Sequence, residues 1–305
     1  MKNNADVSII ILTKNAQENI KETLDVIFRQ ASERIIEVIV IDSGSSDNTI
    51  EIIRSFSAVL LVENPPEVFQ HGRTRNLGGN MAQGKYIVFL NGDAVPLNKN
   101  WLEPLINDLE EDDSIVGVYS RHIPKKNCYL YMEIELISGM RPVKEIIRFS
   151  NFIQNDKQVH LAGLIRFSTV SCAIKKSVWD KMPFTETLPI GEDQDWAKRM
   201  LEAGYAIAYE PASVIIHSHN YTLTRLFKYR CANLQSFNAI LGRKKSFFGL
   251  LCRILISPIS SIMESIVIFR YAKGKKYGTI AILKEIYIAF LSRLVASIGE
   301  LAGNK

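Results

Sequence analysis

Carboxylates, histidines and arginines stand at a few places in this 305-residue chain where residue type and neighbours together could do chemistry. Asp93 closes the run Tyr86-Ile-Val-Phe-Leu-Asn-Gly-Asp93, an acid on a turn directly after an apolar stretch. A hard oxygen donor so placed suits Mg²⁺ or Mn²⁺, which keep positions open for anionic oxygens and act on them as Lewis acids. His217 and His219 lie two apart, hence on one face of a strand, and either could complete the shell of such an ion. Two histidines at that spacing are also common without a metal. Asp42 precedes Ser43-Gly44-Ser45-Ser46-Asp47; its carboxylate can accept hydrogen bonds from a base or a ribose while the small residues let the backbone approach. The same pattern equally makes a helix cap. Gly191-Glu192-Asp193-Gln194-Asp195-Trp196 sets three carboxylates at the mouth of a helix. Clustered acids raise one another's proton affinity, as a general base requires, although acids in a first turn also simply favour the helix dipole. Arg73 and Arg75, in His71-Gly-Arg-Thr-Arg-Asn76, carry forked donors that fit phosphate oxygens; a basic pair of this kind is also an ordinary solvated feature.

The elements that must position these residues alternate. Val7 to Leu12, Ile35 to Ile41, Val59 to Val62 and Tyr86 to Leu90 are short apolar, β-branched runs that predict strands buried on both faces. Asn15 with Glu18 predicts a capping box, followed by a helix on Ile20, Leu24 and Ile27/Phe28. Ile50, Ile53 and Phe56 share a face of a second helix. Strands alternating with helices imply crossovers and a mainly parallel sheet. Ligands of such sheets bind beyond the carboxyl ends of the strands, where Asp42 and Asp93 both fall. Residues 121 to 160 show no regular pattern. Leu161 to Ile174 restores order, a helix runs from about Asp193 to Ala203 and ends at Gly204, and Tyr205 to His219 reads as strand, turn at Pro211, strand.

The composition, 47% hydrophobic and 23% charged, is that of a folded protein and not a disordered one. Met1 to Ile10 runs straight into the first strand without a signal-peptide pattern. Cys128, Cys172, Cys231 and Cys252 are far apart with no paired spacing, which favours a reducing compartment over a disulfide framework or structural zinc. The net charge of +5 is unevenly spread: residues 221–305 hold 14 basic and 3 acidic residues (+11), residues 1–220 hold 23 and 29 (−6). An acidic body thus carries a basic tail. Leu250 to Phe269 is apolar but interrupted by Arg253, Pro258 and Glu264, short of the about 18 uncharged residues a spanning helix needs. Leu283, Ile286, Phe290, Leu294, Ile298 and Leu301 form a stripe with Lys284, Glu285 and Arg293 away from it. Such a basic amphipathic helix suits a membrane interface; capping the catalytic body or joining a second copy in a homo-oligomer would use the same stripe. The segment is too apolar for a solvated nucleic-acid arm.

Taken in order, VSIIILTKNAQENI, VIVIDSGSSDNT, TRNLGGNMAQGKYIVFLNGDAVP, GEDQDWAKRMLEAGY and YEPASVIIHSHN resemble the inverting family 2 glycosyltransferases. The NGDAVP and HSHNYTL segments are most similar to bacterial rhamnosyltransferase-like members. The resemblance covers roughly residues 5 to 225. It implies a GT-A fold, α/β, a Rossmann-like mixed and mainly parallel sheet flanked by helices, as a domain over residues 1–225. Residues 226–305 would be a basic amphipathic helical tail. Thr13, Asn15 and Asp42 would line the nucleotide pocket, with Asn91 at the ribose; the forked donors of Arg73 add a contact to the nucleotide's phosphates. Asp93 matches the last carboxylate of the family's metal-binding D-x-D; Asn91 stands at its first position, where the family usually places the ribose carboxylate. Asp193 matches the general base, with Glu192 as the alternative. His217 matches the histidine that closes the metal motif, and His219 is an addition of the nearer group.

The expected activity is therefore inverting transfer of a sugar, rhamnose among the candidates, from a nucleotide-sugar donor to a saccharide or lipid-linked saccharide acceptor in cell-surface polysaccharide synthesis. The expected cofactor is Mg²⁺ or Mn²⁺, held by Asp93 with His217 or His219. The expected place is cytoplasmic, peripheral on the inner face of the cytoplasmic membrane through the tail, with no nucleic-acid partner. Two rivals share the fold. A catalytically inactive saccharide-binding scaffold would have lost Asp93 or the Glu192-Asp193 pair. A sugar-1-phosphate nucleotidylyltransferase would need a glycine-rich phosphate loop that Leu12-Thr-Lys-Asn15 does not have.

Overall fold

The computed structural model of the chain describes residues 5–65, 69–149, 165–242 and 247–303. In chain order the strands are β1 (Val7–Thr13), β2 (Ile36–Asp42), β3 (Val59–Glu63), β4 (Tyr86–Asn91), β5 (Val95–Pro96), β6 (Ile115–Ile123), β7 (Glu145–Arg148), β8 (Ser171–Lys175) and β9 (Ala206–Ile216). The helices are α1 (Ile20–Ile27), α2 (Thr49–Arg54), α3 (His71–Met81), α4 (Leu102–Glu111), α5 (Leu130–Gly139), α6 (Lys176–Trp179), α7 (Glu192–Glu202), α8 (Leu223–Leu241), α9 (Phe247–Gly274) and α10 (Thr279–Gly303). The chain divides into two compact units, Met1–His122 with Met140–His217, and Ile123–Gly139 with Ser218–Lys305.

The first unit is a mixed α/β sheet in the order β3-β2-β1-β4-β8-β6-β9-β5, with β7 also on β9. It is parallel through β3, β2, β1 and β4 and antiparallel where β8 joins β4 and β6. The apolar runs behave as their composition demands: every residue of β1 is buried, because helices cover the sheet. Ile20, Leu24 and Ile27 of α1 and Leu102, Leu105, Ile106 and Leu109 of α4 share one core with alternate residues of β1, β2 and β4. Register then delivers the chemistry: Thr13 pairs with Asp42 and Leu12 with Asn91, so three strands end side by side.

Helix α3 has no apolar stripe. Its buried residues are Gly72, Thr74, Arg75, Asn76, Gly78 and Gly79. It packs by lacking side chains: a Cβ on Gly78 would come within 2.4 Å of Ile10 Cγ2, and one on Gly79 within 2.4 Å of Trp179 Cζ2. Periodicity therefore carries no sign of it.

Three sequence expectations change. Asn15 does not cap α1, which begins after Asn19 without a side-chain cap; Asn15 adopts φ 51°, a conformation asparagine tolerates better than most residues, and bonds instead to the turn after β2. Tyr205 to His219 holds one strand and no turn. Pro211 lies between the part of β9 paired with β7 (Ala206–Tyr209) and the part paired with β5 (Ile215–Ile216), where neither partner asks it for a donor. The irregular 121 to 160 stretch contains the end of β6, then α5 and β7; residues 150–164 lie outside the described residues, and with them the first part of the predicted Leu161 to Ile174 segment.

The tail lies within the second unit. Leu130 and Tyr131 of α5 share a core with Ile268 and Ala272 of α9 and Ile282 and Ala289 of α10. Small residues bring α10 against α8: a Cβ on Gly299 would meet Phe227 O at 2.9 Å, and Cys231 Sγ donates to Gly299 O. Of the apolar stripe of α10, Ile286 packs against this core, but most of the rest does not. Leu283, Phe290, Leu294 and Ile298 stay exposed, as do Ile262, Met263 and Phe269 on α9; Leu301 lies where side chains are outside the description. Among the described residues no helix is long and apolar enough to cross a membrane, and Cys128, Cys172 and Cys231 are free thiols.

Candidate active site

The loops after β1 and β2 are braced against each other. Asp42 is buried, and its Oδ1 accepts from the backbone N–H of Gly44 (3.0 Å) and Ser45 (2.8 Å) while Oδ2 accepts from Ser45 Oγ (2.5 Å). Ser45 Oγ in turn accepts from Asn15 N, and Asn15 Oδ1 accepts from Ser46 N at 2.8 Å. Asp42 thus organises its own turn. Gly44, at φ 80°, sits where a Cβ would be strained.

Thr13 ends β1 against the turn that carries Asp93. A Cβ on Gly92 would lie 2.6 Å from Thr13 Oγ1, so only glycine lets this turn pass so close. Thr13 Oγ1 is buried without a hydrogen-bond partner. Asp93 faces the end of β9, its Oδ1 3.6 Å from His217 Nε2. The chain leaves β9 through His217-Ser218-His219, and one ligand atom from each of Asp93, His217 and His219 lies within 4.8 Å of the others. Ligands around one small divalent ion, at about 2.1 Å from it, stand roughly 3–4 Å apart, so the set fits an ion after a small closure. A carboxylate with imidazoles favours Mn²⁺ over Mg²⁺, which prefers oxygen throughout. Behind His217, the His122 ring packs edge-on at 5.6 Å. Burial, aided by His217, pushes the His122 imidazole down to about 3, so it is neutral.

Asn91, the residue before Gly92, is bound to a buried cation. Arg75 donates from NH2 to Asn91 Oδ1 (2.9 Å) and from NH1 to Glu192 Oε1 (2.7 Å), with both members of the ion pair almost wholly buried. Arg75 therefore ties the turn bearing Asp93 to the first residue of α7. The three carboxylates of that helix are sorted by their partners. Glu192 is the counter-ion of Arg75. Asp195 accepts from Thr185 Oγ1 (2.5 Å) and Arg199 Nε (2.9 Å). Asp193 accepts from the Thr169 N–H (3.2 Å) and Oγ1 (3.4 Å) and the Gln194 N–H (2.8 Å), with no cation paired to it among the described residues. Burial first, and the Glu192 charge second, push the Asp193 carboxyl up to about 6 against the pull of Arg75. A proton acceptor poised near neutrality is what a general base needs.

Of the residues singled out from sequence, Thr13, Asn15, Asp42, Asn91, Asp93, Glu192, Asp193 and His217 line the carboxyl end of the sheet, with His219 directly after. Arg73 is placed apart from them, exposed and paired with Glu186 (3.3 Å). Arg75, read from sequence as half of a surface-like basic pair, is the buried hub. Thr169 and His122 were not noticed in the sequence, and only their contacts mark them.

The profile of glycosyl transferase family 2 matches residues 8–179. A curated relative, the O-antigen chain rhamnosyltransferase WbaN of Salmonella anatum, is 31% identical over 66% of this chain; the match spans 62% of WbaN's length. The O-antigen chain rhamnosyltransferase RfbN of Salmonella typhimurium is 28% identical over 71% of the chain and 67% of its own length. Among solved structures, the fold is shared with a mannosyltransferase from Pyrobaculum calidifontis in complex with GDP-Man and Mn²⁺ (TM-score 0.58, 16% identity, 98% of this chain and 88% of that one). It is shared too with glucosyl-3-phosphoglycerate synthase of Mycobacterium tuberculosis (TM-score 0.55, 18% identity, 79% and 81%).

Proposed function

Because the chain belongs to glycosyl transferase family 2, we propose that it transfers a sugar from a nucleoside-diphosphate donor to an acceptor hydroxyl with inversion at the anomeric carbon. The observation that carries this reading is Arg75, a buried guanidinium joining Asn91 beside Asp93 to Glu192 beside Asp193. It sets the donor's phosphate end and the proton acceptor into one network. Asp193 takes the proton of the acceptor hydroxyl as the oxygen's electron pair attacks the anomeric carbon. The bond from that carbon to the diphosphate breaks, and its electron pair leaves with the phosphate oxygen. Glu192 is turned to Arg75 instead. Thr13, Asn15, Asn91 and the turn built on Asp42 hold the nucleoside. Asp93, His217 and His219 would hold a divalent ion, Mn²⁺ before Mg²⁺, whose charge offsets that developing on the leaving diphosphate. These residues belong to a GT-A domain over residues 1–225.

The names of WbaN and RfbN make a rhamnosyl donor the first to test. A thermal-shift panel of UDP, dTDP and GDP, each with and without Mn²⁺, will give one nucleotide whose stabilisation grows with the metal and vanishes in Asp93→Ala, since a ligand that binds only the native state raises its melting temperature. No shift with any nucleotide would favour the inactive scaffold.

The acceptor reading follows from the tail over residues 226–305. Ile280 is 86% exposed and Leu283 61%, next to Arg270, Lys273, Lys275 and Lys276 at the turn between α9 and α10. Apolar side chains beside cations fit an anionic bilayer surface, which supports a position on the inner face of the cytoplasmic membrane beside a lipid-linked saccharide acceptor. The full chain will sediment with vesicles rich in phosphatidylserine and not with neutral ones, and Leu283→Glu will release it. A chain that ignores both vesicles but dimerises, with Leu283→Glu giving monomers, would assign the face to a second copy.

A further inference from the structure

We propose that His71 is a binding residue for the sugar being transferred, donating a hydrogen bond from Nε2 to one of its hydroxyls. The inference rests on the glycosyl-transfer reading above.

Helix α3 joins β3 to β4, two strands that run parallel across β2 and β1. It therefore returns against the strands and begins at their carboxyl end. His71 is its first residue, about 6 Å further out along the axis than Arg75. Gln70 fixes this helix start: its Oε1 accepts from Arg73 N (2.6 Å) and its Nε2 donates to Leu188 O (2.6 Å). The His71 ring stands edge-on to Phe69, with centroids 4.9 Å apart. Its Nδ1 lies 3.4 Å from Arg75 NH1, the nitrogen that also bonds Glu192.

A guanidinium only donates, so Nδ1 is the accepting nitrogen and the proton of the ring is on Nε2. Burial first, and the Arg75 charge second, lower the pKa of the imidazole against the pull of Glu192. His71 is thus a neutral ring in one tautomer. Among the described residues none accepts a bond from its Nε2, and that atom is not buried. The half-buried side chain keeps one uncharged donor for a ligand.

Arg75 spans from Asn91, beside Asp93, to Glu192, beside Asp193. In a direct displacement the leaving oxygen belongs at the first end and the attacking oxygen at the second, with the sugar ring between them. His71 stands on the arginine that bridges this gap, so the edge of that ring is what comes within its reach. A hydroxyl accepts from a neutral N–H, whereas a phosphate is better served by a cation.

The test is isothermal titration calorimetry on the full chain with Mn²⁺ and no acceptor. The probes are UDP against UDP-glucose, GDP against GDP-mannose and dTDP against dTDP-rhamnose. One pair will bind the wild type, its sugar-bearing member the more tightly. In His71→Asn the side-chain oxygen can still accept from Arg75, but the amide falls short of the Nε2 position. This variant will bind the sugar-bearing member about tenfold more weakly, the effect of one lost hydrogen bond, and the bare diphosphate as wild type does. His71→Gln carries an amide nitrogen out to the Nε2 position and will keep most of the affinity. Comparing the two members of a pair within each variant cancels any general loss of folded protein. Normal affinity in His71→Asn with weak binding in His71→Gln would mean that His71 only supports Arg75, and overturns the inference. So does normal binding in both variants, or an equal loss for both members of the pair, which would move the contact to the nucleotide. Failure of the underlying reading looks different: no pair would bind the wild type at all, and the donor site would go, with the role of His71.

Discussion

Asp193→Asn will cut the transfer rate at pH 7 by about 10²- to 10⁴-fold and will make the protein harder to unfold. Both effects come from one cause. The Asp193 carboxyl is held at about 6, raised by burial and by Glu192, so ionisation is less favourable in the folded chain than in the unfolded one. A group with a raised folded value contributes stability that is present below about pH 4 and is lost as pH rises through about 6. At pH 7 the ionised Asp193 then costs on the order of 3 kcal/mol. An amide keeps the shape and the contact with Thr169 but never ionises. Thermal unfolding of both proteins from pH 4 to 8 should show the variant ahead by about 5 °C at pH 7, with the gap closing toward pH 4. In the wild type, kcat will fall tenfold per pH unit below about 6. A variant that transfers sugar normally would move the base to another group, while one that is inactive yet less stable would refute the electrostatic account alone.

Arg75→Met will be the most damaging single change to stability in the site. It leaves Glu192 charged, buried and unpaired, a situation that costs about 3–5 kcal/mol, and takes the donor from Asn91. Adding Glu192→Gln removes the stranded charge, so the double variant should recover most of the lost stability as measured by urea unfolding. Activity should not return, because Asn91 and α7 remain uncoupled. Equal stability of the single and double variants would mean that the ion pair is not the source of the loss. Recovery of transfer in the double variant would show that Arg75 serves only to neutralise Glu192.

The strands that hold the site were legible because β-branched runs with no polar face have few other uses, and the acids at their ends could be found by looking there. Asp93 and His217 emerged from the same logic. Arg75 did not, since a sequence displays an arginine's charge but not its burial, and its two partners lie 16 and 117 residues away. Asn15 failed for a related reason: the local Asn-x-x-Glu pattern pointed to a cap, whereas the residue's real partners, Ser45 and Ser46, sit on the neighbouring loop. The stripe on α10 is legible as apolar, but which face of the helix packs is not. Small residues such as Ala289 and Gly299 provide the close approach instead, and a hydrophobic pattern does not register them.

Gly78 and Gly79 set how α3 rests on the sheet, backbone against side chain, with no rotamer available to absorb an addition. Arg75 lies one turn earlier on the same helix. Tolerance to change at position 78 is therefore governed by chemistry three residues away. To a survey that scored every substitution by activity alone, a residue with no side chain would look like a member of the catalytic set. This stretch has little room to diverge while Arg75 must reach both Asn91 and Glu192.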